Sequence, residues 1–123
     1  MYNKYTIDNT MFKIAIYIRL SREDGDDLES ESVTNQRSLL TGYLKAQNLV
    51  AVDIYVDDGY TGTNFERPEF KRMLNDIENG KINMVITKDL SRLGRDHVMT
   101  GFYVETFFPQ NDVRYIAVND DID

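Results

Sequence analysis

FKIAIYIRLS, residues 12–21, decides the fold. The run from Phe12 to Ile18 is β-branched and aromatic, apolar at every position but Lys13, and of strand length. Such continuity, without polar alternation, predicts a strand covered on both faces, as in sheets sandwiched between helices. It then surfaces through Arg19 and Ser21. Because strand side chains alternate, Tyr17, Arg19 and Ser21 project to one side as long as the chain stays extended.

Outward from this strand the pattern repeats. Ser32 precedes VTNQRSLLTGYLKAQN, where Val33, Leu39, Leu40, Tyr43 and Leu44 can share one helical face, and Ser32 is the predicted N-cap. LVAVDIYV at 49–56 reads as a second strand, and DDGYTGTNFE behind it as an exposed loop. RPEFKRMLNDIENG reads as a helix opened by Pro68 and stopped by Gly80. INMVITK at 82–88 is a third strand, and VRYIAV at 113–118 a fourth. Between them, 91–111 reads as a turn leading into a helix with Phe102, Val104, Phe107 and Phe108 inward.

The order β-α-β-α-β-α-β predicts an α/β domain of three layers: a mostly parallel sheet of four to five strands with helices on both faces and right-handed crossovers. Functional groups in such sheets gather at the carboxyl ends of the strands. Here Ser21 follows the first strand, DDGYTGTNFER the second and SRLGR the third. Three segments therefore feed one working edge.

Composition bounds the chemistry. The chain's 123 residues suit one domain, and 41% hydrophobic with 28% charged residues is an ordinary globular balance. Without cysteine there are no disulfides, thiolate zinc sites or cysteine nucleophiles, and a single histidine, His97, argues against a histidine-built metal site. No apolar run approaches the roughly 20 residues that cross a bilayer, and MYNKYTIDNT lacks a signal peptide's apolar middle. The expectation is a cytoplasmic protein. Residues 1–11 read as an N-terminal tail open to disorder, and 12–123 as the domain. The net charge of −7 speaks against a phosphate-rich partner, but six acids fall in EDGDDLESE at 23–31, which reads as a solvated loop. Residues 64–95 carry seven Lys/Arg against five Asp/Glu.

Each arginine near the working edge has an ordinary reading. Arg19 fits an internal ion pair, Arg92 and Arg95 a surface pair on one face of a helical turn, and Arg67 a surface charge at a helix mouth where free N–H groups favour an anion. Gly94 between Arg92 and Arg95 permits close approach or an unusual dihedral. Together, four arginines around one serine, with no cysteine and no evident partner for His97, point to attack on phosphorus. That transfer needs charge stabilisation on the non-bridging oxygens, and the planar guanidinium fork supplies it.

Over about residues 12–120 the sequence resembles the serine recombinases, the group of resolvases, invertases, large serine integrases and transposases. The resemblance is carried by Y-I-R-L-S at 17–21, Gln36, D-D-G-Y-T-G-T-N-F-E-R-P at 57–68 and K-D-L-S-R-L-G-R-D at 88–96. The loop wording is similar to the large transposon-encoded members. The resemblance implies that Ser21 is a nucleophile forming a 5′-phosphoserine link to DNA with a free 3′-hydroxyl. It implies too that Arg19, Arg67, Arg92 and Arg95 bind the scissile phosphate, with Gln36 near the site. Subunits would act as dimers and tetramers on paired DNA sites, resealing without ATP, metal or any other cofactor, in a bacterial or mobile-element setting.

Two departures stand out. Small resolvases carry Asp immediately before the first arginine of R-L-G-R; here that position is Ser91, with Asp89 two residues earlier. The family's dimerisation helix and DNA-binding domains are expected beyond NDDID, so the fragment is expected to bind DNA weakly and turn over little. The 58–66 loop, with two glycines and little apolar ballast, is expected to be mobile. Two rival readings remain beside this one. In a signalling receiver, Asp57 and Asp58 would hold Mg²⁺; in a flavodoxin-like binder, a phosphate loop would follow strand one, where this chain has six acids. A recombinase-like module that binds partners without cutting is a third.

Overall fold

The computed structural model describes residues 12–21 and 32–123; the tail at 1–11 and the acidic stretch at 23–31 lie outside the described residues. Four strands form one parallel sheet: β1 (Ile14–Leu20), β2 (Ala51–Asp58), β3 (Met84–Thr87) and β4 (Arg114–Ala117). Their spatial order is β2-β1-β3-β4. Helix α1 (Val33–Ala46) connects β1 to β2, and α2 (Pro68–Glu78) connects β2 to β3. Three short helices, α3 (Leu90–Leu93), α4 (His97–Phe102) and α5 (Phe108–Gln110), fill the β3–β4 connection.

Strand β1 is central because its run from Ile14 to Ile18 is apolar on both faces. Alternation splits it cleanly: Ile14, Ile16 and Ile18 pack against Leu40 and Leu44 of α1, while Ala15 and Tyr17 face Phe70, Met73 and Ile77 of α2. Each fully buried side chain of this size contributes roughly 1.5–3 kcal/mol relative to exposure. The three-layer expectation therefore holds, with an apolar layer on each face of the sheet.

The caps follow the sequence. Ser32 Oγ accepts from Asn35 N at 3.0 Å and opens α1. Pro68 occupies the first turn of α2, and Gly80, at φ +76°, takes the left-handed conformation that lets the chain leave that helix for β3. Strand limits differ from expectation by two residues at β1, which runs on to Leu20. Its last two residues pair with β2 (Arg19 with Asp57, Leu20 with Asp58), so charged positions are held in regular strand geometry.

The β3–β4 connection corrects the expected inward set. Pro109 cannot donate to the carbonyl four residues back, and the ladder widens over Tyr103–Phe107 into a π turn closed by Phe108 N–H to Tyr103 O. Phe102 is left 43% exposed, whereas Val104 and Phe107 pack against the core as expected, though partly buried, and Phe108 is fully buried. Tyr103, not Phe102, is the ring that packs inward, at 4.9 Å from Phe65 and 5.0 Å from Phe70. No helix among the described residues is long and apolar enough to cross a membrane.

Candidate functional site

In this strand order the connections leave β1 and β3 in opposite directions, which opens a crevice at their carboxyl ends. Ser21 follows β1 there and is 5% exposed. Helix α3, with Arg92, follows β3. β1 continues past its last pairing with β3, Ile16 with Ile86, so the backbone near Arg19 needs partners from elsewhere. They come from both layers. Gln36 Nε2 on α1 donates to Arg19 O at 3.1 Å, and Arg92 Nη1 donates to the same oxygen at 2.9 Å.

The Arg19 side chain returns the connection. Its Nε donates to Arg92 O at 3.3 Å, Nη2 to Ser91 O at 2.6 Å and Nη1 to Tyr60 O at 3.1 Å. One guanidinium thus ties β1 to α3 and to the loop after β2. Carbonyl oxygens hold the Arg19 side chain, which projects at the open end of α3 where they converge.

Arg92 is 3% exposed and is oriented by Asp89. That carboxylate accepts from Arg92 N at 3.2 Å and from Ser91 Oγ at 2.6 Å, and lies 3.7 Å from Arg92 Nε. The hydroxyl standing where small resolvases carry Asp is therefore bonded to a carboxylate two residues back.

The expectation that Arg92 and Arg95 share a helical face is corrected. Helix α3 ends at Leu93 and Gly94 is extended, at φ 177° and ψ 159°, so Arg92 points into the protein while Arg95 is exposed. Arg95 is still brought close, its N–H donating to Gly62 O at 2.6 Å. A Cβ on Gly62 would stand 2.7 Å from Arg19 Nη2 and 2.9 Å from Arg95 Cγ, so this glycine is the spacer between two guanidinium-bearing side chains. Gly94 is needed for space rather than for its dihedral: a Cβ there would meet Phe65 Cζ at 2.3 Å.

Arg67 departs furthest from expectation. It is no surface charge but fully buried, at the N-cap of α2. Its Nε donates to Asn64 O at 3.0 Å and Nη1 to Tyr17 Oη at 3.0 Å, and the guanidinium lies 4.4 Å from the Phe65 ring centroid and 5.2 Å from that of Phe70. The anion at the α2 terminus is the protein's own. Asp57 accepts from Glu69 N at 3.0 Å and Phe70 N at 2.9 Å, and from Tyr17 Oη at 2.7 Å. Burial, with the Asp57 carboxylate adding to it, pushes the Tyr17 phenol well above its ordinary range, against the lowering effect of Arg67.

Arg19, Arg92 and Arg95 thus gather around Gly62 and the end of β1, whereas Arg67 is tied to Tyr17 of β1, four positions before Ser21. The loop after β2 has more ballast than its composition suggested: Phe65 is buried, and Gly59 N–H and Tyr60 N–H donate to Leu20 O. Asp57 faces inward and Asp58 is exposed, so the two carboxylates do not converge on one cation. Among the described residues no group of three His, Asp or Glu side chains could hold a metal ion. Sequence reasoning missed Asp57 and Phe65 as parts of the site. The available signal was that Asp57 stands at the carboxyl end of β2, ten residues before Arg67, at the mouth of the helix Arg67 caps.

The family model for the resolvase N-terminal domain matches residues 14–123. The N-terminal catalytic domain of TP901-1 integrase superimposes with a TM-score of 0.80 at 34% identity, covering 89% of this chain and 79% of that one. A resolvase family site-specific recombinase from Streptococcus pneumoniae gives 0.73 at 27% identity, with 91% and 75% covered. A candidate DNA recombinase of Bacillus subtilis (strain 168) is 30% identical over 106 residues, which are 86% of this chain and 20% of that protein. The chain thus spans about a fifth of that relative's length.

Proposed function

The chain belongs to the resolvase family of serine recombinase catalytic domains, and from that premise we propose that it cuts and rejoins DNA at specific sites with Ser21 as nucleophile. Ser21 Oγ forms a bond to the phosphorus of a DNA phosphodiester, and the bond from phosphorus to the 3′-oxygen breaks. The serine gives up its proton and the leaving oxygen gains one. A 5′-phosphoserine and a free 3′-hydroxyl result, and the reverse reaction reseals the strand. The covalent link conserves the bond energy, so resealing draws on no nucleotide.

The observation that carries this reading is the placement of Ser21 at the β1/β3 crevice, two residues beyond an arginine interlocked with Arg92. Arg92 and Arg95 would hold the non-bridging oxygens, with Arg19 fixing the frame. Arg67 would join through its Nη2, the one nitrogen of its guanidinium without a hydrogen-bond partner among the described residues. Gln36 would keep the end of β1 from sagging, and Asp89 through Ser91 would orient Arg92. DNA is the substrate and the working unit a dimer that pairs into a tetramer. Dimerisation and most DNA affinity would reside in other parts of a longer recombinase.

The test is a suicide DNA substrate whose cut end cannot religate. The full-length protein should form a covalent adduct mapped to Ser21. Ser21→Ala should bind the same DNA and form none; strand exchange by that variant would overturn the proposal.

A further inference from the structure

We infer that Asp57 is a positioning residue that fixes Arg67 through the Tyr17 hydroxyl, an inference that rests on the recombinase reading above. The chain of bonds has a defined polarity. The carboxylate can only accept, and two backbone N–H groups of α2, from Glu69 and Phe70, hold it in place. Tyr17 has one hydrogen, and it goes to Asp57 Oδ2 at 2.7 Å. That leaves an oxygen lone pair for Arg67 Nη1 at 3.0 Å. Burial keeps the phenol protonated, so the polarity does not reverse near neutral pH.

Arg67 is thereby clamped along one edge. Nε is held by Asn64 O and Nη1 by Tyr17, and the plane is set by Phe65 and Phe70 on its faces. With two nitrogens and the plane fixed, the direction of the third is fixed too. Nη2 is buried and has no hydrogen-bond partner among the described residues. A buried donor left without an acceptor is costly, so it marks a place where an acceptor arrives from outside. A phosphate oxygen of bound DNA has the charge and geometry for it. Asp57 touches no substrate in this scheme; it acts on Arg67 at one remove.

Tyr17→Phe removes only the linking oxygen and keeps the ring against Phe70 and the cap on α2. It separates positioning from folding, which Asp57→Asn alone would not. In full-length protein the expected result is that Tyr17→Phe folds and binds DNA with wild-type affinity, yet forms the Ser21 adduct at least about 10-fold more slowly. Arg67→Gln should lose at least as much. The double variant should be no slower than Arg67→Gln, since the hydroxyl has nothing left to position. Asp57→Asn should show the same dependence on Arg67. A wild-type adduct rate for Tyr17→Phe, or the same fold-loss in the Arg67→Gln background, overturns the inference while leaving Ser21 catalysis standing. Failure of the wild-type protein to form any Ser21 adduct overturns the recombinase reading itself.

Discussion

Replacing Gly94 by Ala tests whether this glycine is there for space. The backbone is extended, so alanine is conformationally acceptable, and the whole penalty should be steric. The new Cβ would lie 2.3 Å and 2.9 Å from two carbons of the Phe65 ring and 2.8 Å from Thr100 Oγ1, all buried. Restoring an ordinary contact requires a displacement of about 1 Å. The ring cannot yield freely, because its centroid is 5.0 Å from Phe70 and 4.9 Å from Tyr103. Overpacking of this kind costs about 1–3 kcal/mol. Disturbing two aromatic pairs adds roughly 0.5–1.5 kcal/mol each. The reduced unfolded-state entropy of alanine offsets about 0.4–1 kcal/mol. The net expectation is a loss of roughly 1–5 kcal/mol, read as a lowered midpoint in urea with an unchanged slope. Gly42→Ala is the control: it lies on the exposed face of α1 with nothing within 4 Å of its Cβ and should stabilise by up to about 1 kcal/mol. If the two substitutions shift stability in the same direction, the steric reasoning is wrong. Relief of the Gly94→Ala defect by a second change, Phe65→Leu, would locate the clash.

Gly62→Ala should push Arg19 and Arg95 apart, lowering stability by about 1–3 kcal/mol and abolishing the Ser21 adduct while DNA binding persists; a full adduct rate would refute the spacer role. Ser32→Ala should cost about 1 kcal/mol in thermal or urea unfolding through loss of the bond to Asn35 N. Alkali should unfold the protein by linkage. Tyr17 and Tyr115 are pushed up chiefly by burial, so their protonated forms are favoured in the folded state, and stability held below the unfolded tyrosine value near 10 is lost above it. Well above pH 10 the slope should approach roughly 3 kcal/mol per pH unit for the two, and urea midpoints that stay flat to pH 11.5 would contradict it. Cleavage should proceed in EDTA, and strict dependence on Mg²⁺ would favour a carboxylate mechanism.

Layer order and edge placement were legible because they rest on periodicity: β1 reads as buried on both faces and is so, and Ser32, Pro68 and Gly80 bound their helices as turn chemistry requires. The convergence of three segments on one edge was legible by the same topological rule. What was not legible was the depth of each arginine. A charged residue before a helix reads as surface, and nothing local in Asn64–Pro68 announces two aromatic faces and a tyrosine hydroxyl arriving from elsewhere to bury it. The outward turn of Phe102 was hidden for a related reason: a single proline seven residues on changes the helical register, and a 3.6-residue period assumes that no such break exists.

The oxygen of Arg19 receives one donor from α1 and another from α3, helices on opposite faces of the sheet. A single atom thus joins two layers: a movement of either helix should loosen the other's hold on the strand end that leads to Ser21. Amides in the first turns of α1 and in α3 should therefore exchange with solvent as one cooperative unit, and Gln36→Leu should uncouple them.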